Sequence, residues 1–119
     1  ILVIEDEKDI MTLIQQILEG LGYQVLEAET GKMAIELAEA FDGRIDLAIL
    51  DIKLPDMMGD KVYPLIMAAR PGLKVIVCSG YELEDGPQDI IDAGAEGFIK
   101  KPFSVAAFAD KLKEVLDSG

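Results

Sequence analysis

The hydrophobic positions of the chain fall into two alternating patterns. Short unbroken apolar runs predict strands that are buried on both faces, because such a run leaves no side chain for solvent. Longer stretches repeat their apolar residues three and four positions apart, which is the spacing of one buried helix face. Strands are predicted at residues 1–4, 23–28, 47–50, 74–78 and 98–100, and helices after residue 6, at 31–40, from about 60, at about 87–93 and after residue 104.

Residue types at the element ends support these assignments. Asp6, Thr30 and Ser104 precede predicted helices and are residues that commonly cap a helix amino terminus. Gly59 is interpreted as a loop residue with a backbone angle that other residues avoid, and Gly94 as a helix stop. The spacing places the following residues on buried helix faces: Ile10, Leu13, Ile14, Ile17, Leu18, Leu21, Ala34, Leu37, Ala38, Phe41, Val62, Leu65, Ile66, Ala69, Phe108, Leu112, Val115 and Leu116.

Five strands that alternate with five helices predict an α/β fold. Crossover helices connect parallel strands with right-handed geometry, so the expected structure is a parallel sheet in the order 2-1-3-4-5 with helices on both sides. The chain has 119 residues, half of them hydrophobic. This length suits one domain, which is predicted to span residues 1–119.

Acidic residues follow two of the predicted strands. Glu5 and Asp6 come directly after the first strand, and Asp51 comes directly after the third. The predicted order makes these strands neighbours, so the carboxylates are expected at the sheet edge where such folds bind ligands. Carboxylates that lie close together repel one another unless a cation lies between them, and oxygen ligands favour a hard cation. The sequence therefore predicts a Mg²⁺ site, with Mn²⁺ as an alternative.

A hydroxyl and an ammonium group are predicted at the same edge. Ser79 follows the fourth strand, and Lys101 follows the fifth. Each residue alone has an ordinary explanation, but complementary groups at four strand ends favour a site. A divalent cation, Lys101 and Ser79 would stabilise a transferring phosphoryl group while Asp51 attacks in line. Asp51 is therefore the predicted nucleophile and the predicted site of phosphorylation.

Charge and composition narrow the possible partners and compartments. The net charge is -12, from 23 acidic and 11 basic residues, which disfavours direct binding to nucleic acid or to an anionic membrane. No apolar run approaches the ~20 residues that cross a bilayer, and no signal-peptide pattern is present. We therefore expect a soluble, cytoplasmic protein. Cys78, the only cysteine, is predicted to be a buried thiol in a reducing compartment.

The chain resembles, over its whole length, the receiver domains of two-component signalling proteins. The residues that carry the resemblance are Ile4-Glu5-Asp6-Glu7, Leu50-Asp51, Leu54-Pro55, Gly59, Ser79-Gly80, Phe98 and Lys101-Pro102-Phe103. The resemblance implies a flavodoxin-like (βα)5 three-layer sandwich. It also implies that Asp51 takes a phosphoryl group from a phosphohistidine. The chain has no His, so the donor is expected to be a histidine kinase, a histidine phosphotransfer domain or a small-molecule phosphodonor.

The same resemblance assigns a role to each site residue. Asp6 and Asp51 bind Mg²⁺ directly, together with the backbone carbonyl of Lys53, and Glu5 acts through water. On phosphorylation, Ser79 moves toward the phosphoryl group and Phe98 turns inward. This switch reshapes the surface formed by the fourth helix, fifth strand and fifth helix, where a downstream effector is expected to bind.

Two positions are expected to control the lifetime of the phosphoryl group. Lys53 and Tyr81 lie two residues after the acceptor and the hydroxyl, and in the family such residues alter the access of water. Because both side chains are bulky, we expect slow loss of phosphate, and a faster loss in a Tyr81→Ala variant. The isolated domain is not expected to be an enzyme in its own right, although it takes part in phosphoryl transfer and self-dephosphorylation. Its parent could be a single-domain regulator or a hybrid histidine kinase.

Three alternatives have different requirements. A phosphatase with an aspartate nucleophile needs a second acid two residues after the nucleophile, where this chain has Lys53. A flavin carrier of the same fold needs a phosphate-binding loop after the first strand, where Glu5, Asp6 and Glu7 would repel phosphate. A degenerate receiver that acts only as an interaction module would have lost matching positions, and all of them are present.

Overall fold

Strands and helices alternate along the computed structural model, which describes residues 1–79, 94–101 and 103–117. The strands are β1 (Leu2–Ile4), β2 (Leu26–Ala28), β3 (Leu47–Asp51), β4 (Lys74–Ser79) and β5 (Gly97–Lys100). The helices are α1 (Lys8–Gly20), α2 (Gly31–Ala40), α3 (Gly59–Ala69) and a carboxyl-terminal helix (Val105–Asp117). The helix predicted at about 87–93 lies outside the described residues.

The five strands form one parallel sheet in the order β2-β1-β3-β4-β5, as the alternation predicted. Register pairs Ile4 with Leu50, and it pairs Asp51 with Cys78. The carboxyl ends of β1, β3 and β4 therefore lie side by side in the middle of the sheet, and β5 is next to β4. The candidate site residues were predicted to lie at this edge of the sheet.

Side chains of successive strand residues enter two separate apolar layers. In β1, Leu2 and Ile4 pack with α2 and α3 on one face, whereas Val3 packs with α1 and the carboxyl-terminal helix on the other. The same period of two runs through β3 and β4. Covering both faces of the sheet explains why the strand sequences are apolar without interruption. Within the described residues, no helix has both the length and the apolar character needed to cross a bilayer.

The helical spacing identified the centres of the buried faces correctly, but not their margins. Leu13, Leu21 and Leu65 were predicted to be buried and are exposed instead. Leu13 and Leu65 lie to one side of the buried stripe of their helices, and Leu21 follows the last residue of α1. Met11 and Tyr63 are buried in their place.

One of the two predicted helix caps is present, and Thr30, which was predicted to open its helix, also acts as a cap. The Thr30 hydroxyl accepts a hydrogen bond from the Met33 amide at 3.1 Å, and the Ser104 hydroxyl accepts one from the Ala107 amide at 3.0 Å. The prediction for Asp6 is wrong, because α1 begins after Glu7 and no side chain caps it. The Asp6 side chain belongs to the acidic cluster described below.

The second strand is shorter than the predicted 23–28 and begins at Leu26. The positive φ of Gly22, 92°, turns the chain after α1, and the Tyr23 amide donates to the carbonyl of Leu18 at 2.9 Å. Residue 23 therefore completes the turn at the end of the helix instead of starting the strand.

Basic residues from outside the helices bind the carboxyl ends of two of them. Neither α2 nor the carboxyl-terminal helix has a basic residue in its last turn. Arg70, which follows α3, donates to the carbonyls of Ala38, Phe41 and Gly43 at the end of α2. These contacts place a cation where the helix dipole favours one. Lys74 donates in the same way to Val115 and Leu116 at the end of the carboxyl-terminal helix, at 3.0 and 3.3 Å.

Candidate active site

Three carboxylates meet where β1 and β3 end. Glu5 and Asp6 follow β1, Asp51 is the last residue of β3, and one oxygen of each lies within 4.8 Å of the others. Glu5 and Asp51 are buried, with exposures of only 2% and 5%, whereas Asp6 is exposed at the rim. The structure therefore brings together the three acids that the sequence placed at one edge.

Lys101 is the basic partner of this cluster. Its Nζ donates to Glu5 Oε1 at 2.7 Å and lies 3.3 Å from Asp51 Oδ1. The lysine side chain retains 14% of its exposure. The other Glu5 oxygen accepts a hydrogen bond from the Glu7 amide at 3.1 Å. Glu5 is therefore held on both oxygens, and Lys101 bridges the two buried carboxylates.

The electrostatics show that one ammonium does not compensate the buried acids. Burial, reinforced by the charge of Glu5 and opposed by Lys101, raises the pKa of Asp51 from 3.8 to about 7. Burial alone would lower the pKa of Lys101, but its hydrogen bond to Glu5 and the charge of Asp51 outweigh burial and raise it. Lys101 is therefore charged at neutral pH, whereas Asp51 readily takes up a proton. A further positive charge, either a proton or a cation, would therefore stabilise the cluster.

The cluster fits a hard divalent cation. Its donors are carboxylate oxygens, which are the ligands that Mg²⁺ prefers in proteins. Its carboxylates carry more negative charge than Lys101 balances, and Asp6 is exposed to solvent at the edge of the cluster. A cation at this position would favour the ionised form of Asp51, because an opposite charge nearby lowers the pKa of a carboxyl group.

The remaining predicted site residues have different positions. Ser79 is the last residue of β4 and its backbone pairs with Lys100, while its side chain is outside the described part of the chain. Phe98 is half-buried in β5 and packs against the apolar layer of α2 and α3. Lys53 is exposed in the loop after Asp51. Tyr81 and Pro102 lie outside the described residues. The roles assigned to Ser79, Tyr81, Phe98 and Lys53 stay predictions.

The loop that follows Asp51 is closed tightly at its base. The Gly59 amide donates to the carbonyl of Ile52 at 2.6 Å, and the backbones of Lys53 and Met58 form an isolated antiparallel β-bridge. A Cβ at residue 59 would lie 2.9 Å from both the Asp51 carbonyl oxygen and the Ile52 Cα. The predicted reason for Gly59 is therefore wrong: its φ is not positive, and the glycine permits a close backbone approach beside the acceptor. Gly94 has a positive φ of 125°, and the helix that it was predicted to stop lies outside the described residues.

Sequence reasoning missed Asp56. Its two carboxylate oxygens accept hydrogen bonds from the amides of Gly31 and Lys32, at 2.8 and 2.9 Å, at the start of α2. These backbone hydrogen bonds lower the pKa of Asp56. In the sequence, Asp56 is an acidic residue of a loop. No local pattern links it to the start of a helix 25 residues away.

Cys78 lies next to Asp51 in the sheet register but offers no nucleophile. Burial raises the pKa of the Cys78 thiol to about 12, so the thiol is neutral at physiological pH and lacks the thiolate that reacts. Its burial in the apolar layer of α1 and the carboxyl-terminal helix confirms the predicted burial of the thiol.

Comparison with known proteins identifies the fold and the family. Residues 1–113 match the family model for the response regulator receiver domain. The chain is 34% identical to the chemotaxis protein CheY of Listeria monocytogenes, covering 98% of this chain and 94% of that protein. It is also 34% identical to the sensor kinase CckA of Brucella abortus, over 98% of this chain but only 12% of the kinase.

A solved structure shows the same arrangement of strands and helices. The receiver domain of the sensor histidine kinase PA1611 from Pseudomonas aeruginosa aligns with a TM-score of 0.86 and 28% identity, covering 98% of this chain and 96% of that one. That protein was solved with a magnesium ion coordinated in its active site cleft. The match over residues 1–113, the parallel sheet and the acidic edge lead to one conclusion: the chain belongs to the family of response regulator receiver domains.

Proposed function

We propose that Asp51 accepts a phosphoryl group from a phosphohistidine on a histidine kinase or a histidine phosphotransfer domain. The observation that carries this proposal is the buried carboxylate of Asp51 at the end of β3, with Lys101 Nζ 3.3 Å away and two more acids within 4.8 Å. Two buried carboxylates share the ammonium group of Lys101, although a buried charge is costly unless it is paired. A site that takes up a cation and a phosphoryl group accounts for this excess of negative charge.

The cation of this site is proposed to be Mg²⁺, held by Asp6, Asp51 and the backbone carbonyl of Lys53, with Glu5 acting through water. When bound, the ion would neutralise charge on the transferring group. The oxygen donors of the cluster support this assignment, and so does the magnesium ion in the active site cleft of the related PA1611 receiver domain. Mn²⁺ has the same preference for oxygen ligands and is expected to substitute.

The transfer step uses the ionised form of Asp51. One Asp51 oxygen forms a bond to phosphorus as the bond from phosphorus to the donor nitrogen breaks, and the electron pair of that bond returns to the imidazole. Lys101, already 2.7 Å from Glu5, supplies a fixed positive charge beside the incoming group. Ser79 is proposed to donate a hydrogen bond to the same group from the end of β4.

The product carries roughly -1.5 to -2 of charge at the end of β3, in place of the single negative charge of the ionised Asp51 carboxylate. New charge-assisted hydrogen bonds to Ser79 and Lys101 would then bias a two-state change in which Phe98 turns inward. Phe98 is half-buried against the layer of α2 and α3, so it has an apolar surface to pack on. We propose that a downstream effector recognises the altered surface beside β5 and the carboxyl-terminal helix.

The proposal is tested by incubating the protein with acetyl phosphate and reading its intact mass. With Mg²⁺ we expect the wild type to gain the mass of one PO3 group, and we expect no gain after the divalent cation is removed by chelation. Asp51→Asn is expected to show no gain, because the amide is a far weaker nucleophile than the carboxylate. An equal gain in Asp51→Asn would place the acceptor elsewhere.

A second variant tests the cation. Asp6→Ala retains the acceptor but removes one proposed ligand, so it should need a much higher Mg²⁺ concentration for the same rate of mass gain. Asp110→Asn removes an exposed acid of the carboxyl-terminal helix and is the matched control for net charge. If Asp6→Ala and Asp110→Asn showed the same Mg²⁺ dependence, Asp6 would not be a ligand.

A further inference from the structure

The loop between β3 and α3 is attached to a neighbouring helix at its tip. Asp56 lies near that tip and accepts hydrogen bonds from two successive amides, Gly31 at 2.8 Å and Lys32 at 2.9 Å. Both amides belong to the first turn of α2, where no intrahelical acceptor is available. The carboxylate is thus bound by two donors of one helix and complements the helix dipole.

Apolar packing at the same place reinforces this attachment. The half-buried side chain of Met57 occupies the space above Gly31, where an added Cβ would lie 2.6 Å from Met57 Cγ and 2.8 Å from Val62 Cγ2. Position 31 therefore lacks a side chain at the point where the loop crosses α2. Asp56, through hydrogen bonds, and Met57, through apolar packing, therefore contact the same turn of α2.

The base of the loop is equally defined, and it lies at the candidate site. The bridge between Lys53 and Met58 and the 2.6 Å hydrogen bond from Gly59 to Ile52 close the loop directly after Asp51. Only residues 54 and 55 separate Lys53 from Asp56, so the position of Asp56 restricts the direction in which the chain leaves Lys53. In the proposed function, the backbone carbonyl of Lys53 is one of the Mg²⁺ ligands.

We propose that Asp56 is a positioning residue for the cation site. It holds the loop against α2 and thereby fixes the direction of the Lys53 carbonyl, while it touches neither the cation nor the phosphoryl group. The inference rests on the proposed function, because it assumes that Mg²⁺ binds beside Asp51. It goes further by assigning part of the Mg²⁺ affinity to a contact with a different helix.

Thr30 provides a matched control for a purely structural effect. Its hydroxyl caps the same helix end by accepting a hydrogen bond from the Met33 amide at 3.1 Å, and that bond stays within the helix. Thr30→Ala and Asp56→Ala therefore both weaken the start of α2, but only Asp56→Ala releases the loop. A change shared by the two variants reports on the helix, whereas a change confined to Asp56→Ala reports on the loop.

The experiment is a calorimetric titration of each folded variant with MgCl2, paired with acetyl phosphate phosphorylation over a range of Mg²⁺ concentrations. Asp56→Ala is expected to raise the Kd for Mg²⁺ by about tenfold, which is the lower end of the range for residues that orient a metal ligand. Its phosphorylation rate should fall at low Mg²⁺ and recover at saturating Mg²⁺. Thr30→Ala should keep the wild-type Kd.

Asp56→Asn supplies the conservative rescue, because its one amide oxygen can accept one of the two hydrogen bonds. Its Kd for Mg²⁺ is expected between those of the wild type and Asp56→Ala, and it serves as the test variant if Asp56→Ala does not fold. A wild-type Kd in both Asp56 variants, or an equal rise in Thr30→Ala, would overturn the positioning role. If the wild type bound Mg²⁺ but gained no phosphoryl group, the proposed function would fail while the positioning role could still be measured.

Discussion

Replacing Lys101 with Met should lower the free energy of unfolding at pH 8, in the absence of divalent cations, by about 2–4 kcal/mol. Lys101 is the cation that contacts both buried carboxylates, at 2.7 Å from Glu5 and 3.3 Å from Asp51. Removing one partner of a buried ion pair leaves uncompensated charge, which is strongly destabilising. The expected range is below that of a fully buried pair because the lysine retains 14% exposure and Asp51 can take up a proton.

Urea unfolding followed by circular dichroism measures this effect. Lys113→Met is the matched control, because Lys113 is an exposed lysine of the carboxyl-terminal helix, and we expect a change of only about 0.5 kcal/mol or less. Added Mg²⁺ should recover part of the loss in Lys101→Met by supplying the missing positive charge. Equal stability of the two Met variants would contradict the bridging role of Lys101.

The opposite sign is expected for Asp51→Asn. At pH 8 without divalent cations, this variant should be more stable than the wild type by roughly 2–4 kcal/mol, since each pH unit between the ordinary carboxyl pKa and 7 corresponds to about 1.4 kcal/mol. Burial and the charge of Glu5 raise the pKa of Asp51 to about 7, so folding at pH 8 must bury a carboxylate that is already ionised in the unfolded chain. The neutral amide avoids burying that charge.

The pH dependence of the difference identifies its cause. Near pH 4 Asp51 is largely protonated in the folded protein and only partly ionised when unfolded, so the wild type and the variant should be similar in stability. As pH rises from 4 to 7 the unfolded state releases the proton first, and the wild type loses stability relative to Asp51→Asn. Above pH 7 the difference should level off. A difference that is constant from pH 4 to 8 would show that the Asn variant is stabilised by something other than charge.

Much of the site follows from the sequence because the chemistry lies directly after strands. An apolar run that ends in an acid marks both the strand and the residue at its carboxyl end, and the order 2-1-3-4-5 then brings those ends together. Glu5, Asp51 and Lys101 could be placed at one edge by this argument alone. Side-chain contacts are not needed for this prediction, because parallel neighbours bring their ends to the same edge.

Contacts between distant segments could not be found in this way. Asp56 binds α2 across 25 residues, and Arg70 binds the end of the same helix across 27 to 32 residues. A loop acid and a turn arginine have no periodicity that reports their partners. The sequence likewise indicated a special position for Gly59. The reason for the glycine is the close approach of the backbone of Asp51 and Ile52, which only the three-dimensional structure reveals.

The helix margins were mispredicted for a related reason. Leu13 and Leu65 satisfy helical spacing, yet burial depends on how each helix is rotated against the sheet. In the structure that rotation buries Met11 and Tyr63 in their place. Local patterns therefore identify that a helix is amphipathic, whereas tertiary packing determines the edges of its buried face.

We expect Asp6 and Asp51 to share one cation beside the atom that accepts the phosphoryl group. The most direct measurement is a crystal structure of the protein with Mn²⁺ and beryllofluoride, in which anomalous scattering locates the metal. We predict one ion bonded to oxygens of Asp6, Asp51 and the Lys53 backbone, with the beryllium group on Asp51 and within reach of Lys101. An ion that contacts neither Asp6 nor Asp51, or beryllofluoride bound away from Asp51, would show that the proposed site is wrong.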